Sequence, residues 1–360
     1  MRVAIIGLGL IGGSWAMALR EWSKTEEGRA AQLEIVGFDA KGKQRALAQS
    51  MNLCHRYTAT PMEVVKDAQI VIVATPVMAI RDTFEDIAEH LENGAIVTDT
   101  CSTKRQVMDW ARELLPKTVN FVGGHPMAGK TASLEEADPD LFKNCTYCLM
   151  SLPETRDDAI DTVAKLVEAI GAKPYFIEPS EHDSYVAAIS HLPYLTSVQL
   201  VNLAGDSEGW REIMRLASTG FQDTTRLASG DIQMHMDICR TNSDMIISWL
   251  DRYQRQLSDL RLMLEQAGLY DERGRPKPES LSDPGPLQQF LTRARESRDR
   301  WLSSRLKPDA DPRAAGIEMP AKKDLQIGYS RMLFGGLFDK RKKPGDENPG
   351  SNSPNNTRKP

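Results

Sequence analysis

Short β-branched runs alternate with longer amphipathic stretches through the first 180 residues. The apolar runs are RVAIIGLG from Arg2, LEIVGFD from Leu33, IVIVATP from Ile70, AIVTDT from Ala95, NFVGG from Asn120, TYCLMSL from Thr146 and KPYFIE from Lys173. Between them lie helical patterns such as MEVVKDA from Met62 and IRDTFEDIAEHL from Ile80. This alternation predicts parallel βαβ units with helices on both faces of a doubly wound sheet. The first runs are apolar almost throughout, as strands buried on both faces require.

The texture changes at Pro179. SEHD, from Ser180, offers a hydroxyl N-cap with an acid three residues on, and predicts a helix start. From there to Gly268 the pattern is helical: SYVAAIS, PYLTSVQLVNLA and SDMIISWLDRYQRQLSDLRLMLEQAG. The last segment repeats apolar residues at three- and four-residue spacing through Ile246, Trp249, Leu250, Tyr253, Leu257, Leu260 and Leu264. Its long apolar faces are fit to pack on a partner subunit as well as on their own domain. The expected organisation is an α/β domain over 1–179 and an all-helical domain over 180–268. A linker with a peripheral helix (LQQFLTRARESRDRWLSSRL) follows over 269–338, and a tail without apolar residues, expected to be disordered, over 339–360.

Composition narrows this only slightly. With 41% hydrophobic and 26% charged residues, the 360-residue chain reads as an ordinary soluble globular protein. A net charge of −5 gives no reason to expect nucleic acid as a partner. No apolar run is long enough to span a bilayer, and the N-terminal run reads as a strand and not a signal peptide. Five cysteines, an odd number without framework spacing, make a reducing cytoplasm the default. Cys145 and Cys148 form a CxxC on a strand-like run with no second pair, so they read as structural. No metal-ligand spacing occurs anywhere.

The first strand runs into Gly7-Leu8-Gly9-Leu10-Ile11-Gly12, a GxGxxG with a strand before it and a helix after it, from about Gly13 to Arg20. Gly7 permits the tight turn, Gly9 lets backbone approach a pyrophosphate, and Gly12 lets the helix sit close to the strand. The helix N-terminus then meets the phosphate charge. Asp39, closing the second strand, is placed to accept hydrogen bonds from ribose hydroxyls and to repel a 2′-phosphate, which favours NAD over NADP. The interval from Gly12 is longer than usual because EWSKTEEGRAAQ is inserted. The fold class is therefore α/β, an N-terminal Rossmann-type, mostly parallel sheet followed by an all-helical domain.

GLGLIGGS from Gly7, ATP from Ala74, TDTCSTK from Thr98, GGHPMAG from Gly123, SHLPY from Ser190 and GFQDTTRLA from Gly220 occur in that order. Over residues 1–268 the chain resembles prephenate and arogenate dehydrogenases, which make the direct precursor of tyrosine. The resemblance implies an oxidative decarboxylation: NAD⁺ takes a hydride from C4 of a cyclohexadiene ring bearing a hydroxyl, and loss of CO₂ yields a phenol. It implies His125 as the base for the hydroxyl proton, and Ser102 as a residue that bonds the same hydroxyl or orients the histidine. The glycines before His125 are then room for close approach to the nicotinamide. Without the resemblance, Ser102 reads as an N-cap for KRQVMDWARELL, and both roles can hold at once. Arg226 is implied as the partner of a substrate carboxylate, suited by its planar fork. His191 is implied to face the substrate side chain. Thr75 and Pro76 close the third strand, where the nicotinamide ribose passes in such folds. Lys130 and Thr131 follow HPMAG; a cation there suits a second carboxylate or keto acid better than an ammonium group, which favours prephenate over arogenate. His182 reads as a helix-start residue outside the site, and His55, His90 and His235 carry no motif. A homodimer is implied through the helical domain.

Two other readings are weighed. A β-hydroxyacid-type dehydrogenase would use a lysine of the helical domain, and no lysine lies between Lys173 and Lys277. A non-catalytic NAD-binding protein would keep the glycine loop and dispense with His125 and Arg226.

Overall fold

The apolar runs become strands, and the pleat sorts their side chains. In β1 (Arg2–Ile6) Val3 and Ile5 face one core while Ala4 and Ile6 face the other. The computed structural model describes residues 1–129, 132–268, 273, 275 and 285–305. The other strands are β2 (Glu34–Phe38), β3 (Arg56–Tyr57), β4 (Ile70–Val73), β5 (Ile96–Asp99), β6 (Asn120–Pro126), β7 (Thr146–Ser151) and β8 (Lys173–Phe176). They form one eight-stranded sheet in the order β3-β2-β1-β4-β5-β6-β7-β8. All neighbours are parallel except β6 and β7.

Helices α1 (Leu10–Trp22), α2 (Glu26–Ala30), α3 (Gly42–Ser50), α4 (Pro61–Val65), α5 (Ile80–Ile87), α6 (Arg105–Leu114) and α7 (Asp157–Ala169) connect the strands. One core holds Val71, Val73, Phe84, Val107, Trp110 and Phe121; the other holds Trp15, Leu19, Ile35, Phe142 and Tyr147. The inserted EWSKTEEGRAAQ is not a plain loop: the end of α1 and all of α2 lie in it, with Thr25 capping α2 by accepting from the Gly28 amide at 3.1 Å. The run ending at Thr75-Pro76 is the fourth strand in chain order because β3 intervenes.

The second half is helical: α8 (Pro179–Val186), a π-helical turn at Ala187–His191, α9 (Leu192–Gly205), α10 (Trp210–Leu216), α11 (Thr219–Thr225), α12 (Ile232–Thr241) and α13 (Ser243–Ala267). The start of α8 differs from the capping-box expectation. Glu178 is the N-cap, Pro179 takes the first helical position, and Asp183 turns away from its own helix. The wide turn before α9 follows from Pro193, which has no N–H to give the Ile189 carbonyl four residues back. The peripheral-helix pattern forms α14 (Gly285–Arg305). Most of 269–284 and all of 306–360, including the tail, lie outside the described residues.

The strand order reverses between β1 and β4, and ligands bind such sheets at the carboxyl ends beside that point. Gly7 follows β1, Asp39 follows β2, Thr75 follows β4, Ser102 follows β5, and His125 stands at the end of β6. All five share that edge.

Candidate active site

The glycine loop is built as a cradle. Gly7 adopts φ +90°, and a Cβ on it would lie 2.5 Å from the Ala74 carbonyl oxygen. A Cβ on Gly12 would lie 1.9 Å from the Gly7 oxygen, so α1 can approach the strand only with glycine there. Gly9 is the opposite case: a Cβ would meet nothing within 4 Å, because the space in front of it is open. The amides of Gly9, Leu10, Ile11 and Gly12 carry no hydrogen bond among the described residues. Open space before unbonded amides at the N-terminus of a thirteen-residue helix suits a pyrophosphate. Asp39 is fixed beside it, with Oδ2 accepting from the Leu8 amide at 2.9 Å and Oδ1 from the Lys41 amide at 2.8 Å. The buried Thr75 Oγ1 has no partner among the described residues and is free to serve a ligand. Pro76 is exposed.

At the end of β6, His125 Nδ1 lies 2.8 Å from His182 Nε2 on α8. His182 Nδ1 lies 2.9 Å from Asp183 Oδ1. The carboxylate only accepts, so His182 Nδ1 donates to it. His182 Nε2 is then the acceptor, and His125 Nδ1 donates to it. The chain of bonds leaves the lone pair on His125 Nε2, the tautomer a base needs. Burial first, then the charges of His182, Lys104 and His191, hold His125 well below the ordinary histidine value. The ring therefore stays neutral through the physiological range.

The sequence pattern puts His182 outside the site, and the structure bonds it to His125. It is buried and not a helix-start surface group, because the face of α8 that carries it is pressed against β6 and α6. The adjacent His-Asp pair in SEHD was the available signal: a histidine beside an acid that can fix its tautomer.

Asp183 also replaces the N-cap expected of Ser102. The N-cap residue of α6 is Lys104, with no side-chain cap of its own. The unpaired amides of Lys104 and Arg105 donate to Asp183 Oδ1 and Oδ2 at 2.8 and 2.9 Å. Burial pushes the Asp183 carboxyl up, but the bonds from His182, Arg105 and Lys104 outweigh it and hold the group below the usual carboxylate range. Removing this acceptor would strand several donors, at about 1–3 kcal/mol each. Ser102 is half-buried, and its hydroxyl makes no hydrogen bond among the described residues.

His191, at the end of the π-helical turn, is 3% exposed. Asn242 bonds the Asp183 carbonyl at 2.7 Å and sits 3.3 Å from His191 Nδ1, while its Oδ1 accepts from Arg105 at 3.1 Å. The amide nitrogen therefore donates to His191 Nδ1 and leaves His191 Nε2–H as a donor. Burial lowers His191 to about 4. Arg226 opens the turn Arg226–Ser229 beside α9, exposed and without a hydrogen bond or ion pair among the described residues. It is not joined to the histidine cluster by any bond, and its guanidinium is free to take an anion. Lys130 and Thr131 lie outside the described residues. Of the histidines without a motif, His235 stacks on Tyr194 with ring centroids 3.4 Å apart, and His55 accepts from the Ile35 amide.

The two glycines before His125 do not leave room for a nicotinamide. A Cβ on Gly123 would lie 2.8 Å from Met108 Sδ, and one on Gly124 would lie 2.4 Å from the Asp99 carbonyl oxygen. Protein interior fills both directions.

Comparison with known proteins adds to this geometry. Residues 18–176 match the family model "Prephenate dehydrogenase, nucleotide-binding domain", and residues 178–272 match "Prephenate dehydrogenase, dimerization domain". The chain is 35% identical over 269 residues to the prephenate dehydrogenase of Bacillus subtilis (strain 168), covering 73% of this chain and 70% of that protein. The crystal structure of Synechocystis arogenate dehydrogenase is similar at a TM-score of 0.68 and 27% identity, covering 84% of this chain and all of that one. The structure of Aquifex aeolicus prephenate dehydrogenase in complex with hydroxyphenyl propionate and NAD⁺ shares the fold, at a TM-score of 0.72 and 23% identity over 83% of this chain and 98% of that one.

Proposed function

Because the chain belongs to the prephenate dehydrogenase family, we propose that it catalyses the NAD-dependent oxidative decarboxylation of prephenate to 4-hydroxyphenylpyruvate, with His125 as the proton acceptor. The observation that carries the reading is the bond chain from Asp183 through His182 to His125, which leaves His125 Nε2 unprotonated at the ligand edge of the sheet.

The cradle residues fit a dinucleotide: the Gly9–Gly12 amides for the pyrophosphate, Asp39 for the adenosine ribose, and Thr75 for the second ribose. When bound, NAD⁺ supplies the oxidant, accepting hydrogen and its electron pair from ring C4. His125 Nε2 takes the C4 hydroxyl proton as that carbon becomes carbonyl-like. The new positive charge on the imidazole is met through His182 by Asp183. Loss of CO₂ from the ring carboxylate then leaves the aromatic phenol, which makes the step strongly downhill. Ser102 is assigned to the same hydroxyl as a donor. Arg226 supplies a bidentate partner for a substrate carboxylate, and His191 Nε2–H a donor facing the side chain. Lys130 and Thr131 are assigned to a second carboxylate or keto acid.

Oxidation of L-arogenate is the second reading, favoured by the likeness to the Synechocystis arogenate dehydrogenase structure. The working unit is inferred to be a homodimer, supported by exposed Ile247, Leu250, Tyr253, Leu257 and Leu264 on α13. Free cysteines support a cytoplasmic setting; among the described residues no helix is long and apolar enough to cross a membrane. Absorbance at 340 nm with prephenate and L-arogenate, each with NAD⁺ and NADP⁺, tests the proposal. The highest kcat/KM is expected for prephenate with NAD⁺. Turnover of neither ring acid would overturn it.

A further inference from the structure

Lys104 is fully buried, which is rare for a lysine, and the mechanism above leaves it without a task. Its ammonium pairs with Asp99, also fully buried, at the end of β5. Asp99 is spent entirely on the neighbourhood of His125. Oδ1 accepts from the Gly124 amide at 3.0 Å, immediately before the histidine, and Oδ2 accepts from the Cys101 amide at 2.8 Å as well as from Lys104. The ion pair runs in van der Waals reach of the strand that carries His125: a Cβ position on Gly123 lies 3.6 Å from the Lys104 stem and 3.7 Å from Asp99 Oδ1, and one on Gly124 lies 2.4 Å from the Asp99 carbonyl oxygen. The backbone of Lys104 meanwhile donates to Asp183, the far end of the histidine chain.

We propose that Lys104 is a positioning residue for the proton-accepting imidazole: its buried ammonium, locked to Asp99 under the Gly123–Gly124 strand, fixes the backbone that carries His125 and opposes a second positive charge on that ring. The proposal rests on the reading of His125 as the base. The groups that face the ring come from four elements. His182 lies on α8 with Asp183 behind it, His191 ends the π-helical turn, and Lys104 with Asp99 sits at the junction of β5 and α6. On β7 the cross-strand neighbour is Cys148, whose thiol burial pushes up to about 11 and so keeps neutral. Of these, Lys104 is the one carrying a full positive charge. Lys104 is the third of the influences that lower His125, after burial and His182. An apolar pair can often fill a purely packing role, since exchanging a buried ion pair for apolar residues of similar volume is often neutral or stabilising.

The opposite charges of the pair give the test a signature. Imidazole titration is followed by ¹⁵N NMR on the unliganded protein and on Lys104→Met, Asp99→Asn and the double variant, with thermal melts to confirm folding. Lys104→Met keeps the stem and removes the cation, so His125 should take up its proton at higher pH. Asp99→Asn keeps an acceptor for the Gly124 amide but leaves the ammonium unneutralised, so His125 should titrate at lower pH. The acid limb of kcat/KM for prephenate should move in the same two directions. If Lys104→Met does not fold, the double variant, which removes both charges, replaces it and should titrate above Asp99→Asn. Shifts in one common direction, or a titration that neither charge moves, would overturn the proposal. The NMR measurement needs no substrate. A wild type that turns over no prephenate while its titration moves as stated would sink the family reaction and leave Lys104 in its role.

Discussion

The two halves of the molecule hold themselves together by different means. The sheet half buries two full apolar cores, one on each face, around strands that are inaccessible along most of their length. The helical half has a core of Ala187, Ile238 and Ile246, with Leu195, Cys239, Met245 and Trp249 half-buried around it. Its large side chains face outward instead: Leu216 is 84% exposed, and Ile232, Ile247 and Leu264 exceed half exposure. Apolar surface on that scale marks a contact face and not a finished domain. What fixes the near end of the helical half is polar. Asp183 takes the α6 amides, Thr103 meets Thr241 at 2.9 Å, and Arg105 reaches Asp244 at 2.8 Å. The sheet half is held by burial and the near end of the helical half by what it is bonded to, and the histidine cluster sits where the two meet.

The comparison can be broken from either side. The largest effect is expected at the junction. His125→Asn keeps a hydrogen-bonding side chain in a half-buried place, so the melting temperature should hold within a few degrees. The rate of prephenate oxidation should fall by about 10²–10⁴-fold, the range for losing a general base. A variant of undiminished rate would remove His125 from its role. Next comes the exposed stripe. Leu257→Asp puts a charge in the middle of the α13 face. Sedimentation should change from dimer to monomer, and the melting temperature should cease to rise with protein concentration. A variant that stays dimeric would place the contact elsewhere. The smallest effect is on stability against pH. His191 titrates near 4 in the fold and near 6.5 when unfolded, so its folded value is depressed. As pH falls, the unfolded chain takes the proton first. The stabilising contribution is therefore full above about 6.5 and declines towards about 4, where it levels off. Urea melts across that window should show this slope, and His191→Asn should reduce it, with His125 and His55, both held below the ordinary histidine value by burial, contributing in the same sense.

Where one residue follows the next in a simple period, the sequence reveals the structure. The β1 run, the GxGxxG after it and the α13 stripe depend on local spacing, and all three form within a few residues of the expected limits. What escaped was set by contacts far along the chain. Asp183 reads as part of its own helix cap, yet it caps α6, nearly eighty residues earlier. Ser102 reads as that cap and is left over because the long-range carboxylate arrives first. His182 looks like a helix-start residue until β6 is placed against it. Lys104 passes unnoticed because a lysine is expected in water, and only the three-dimensional neighbourhood shows a buried acid to hold it. The glycines of GGHP show their need for space in sequence, but not on which side the space is filled.

One feature of the junction constrains how the molecule can breathe. A single carboxylate, Asp183, stitches the start of α6 to α8, and parting the two would uncover that charge together with two helix-start amides and a histidine. The halves should therefore travel as one piece along this seam. Arg226, proposed above as the partner of a substrate carboxylate, lies outside this seam, on a short exposed turn after α9.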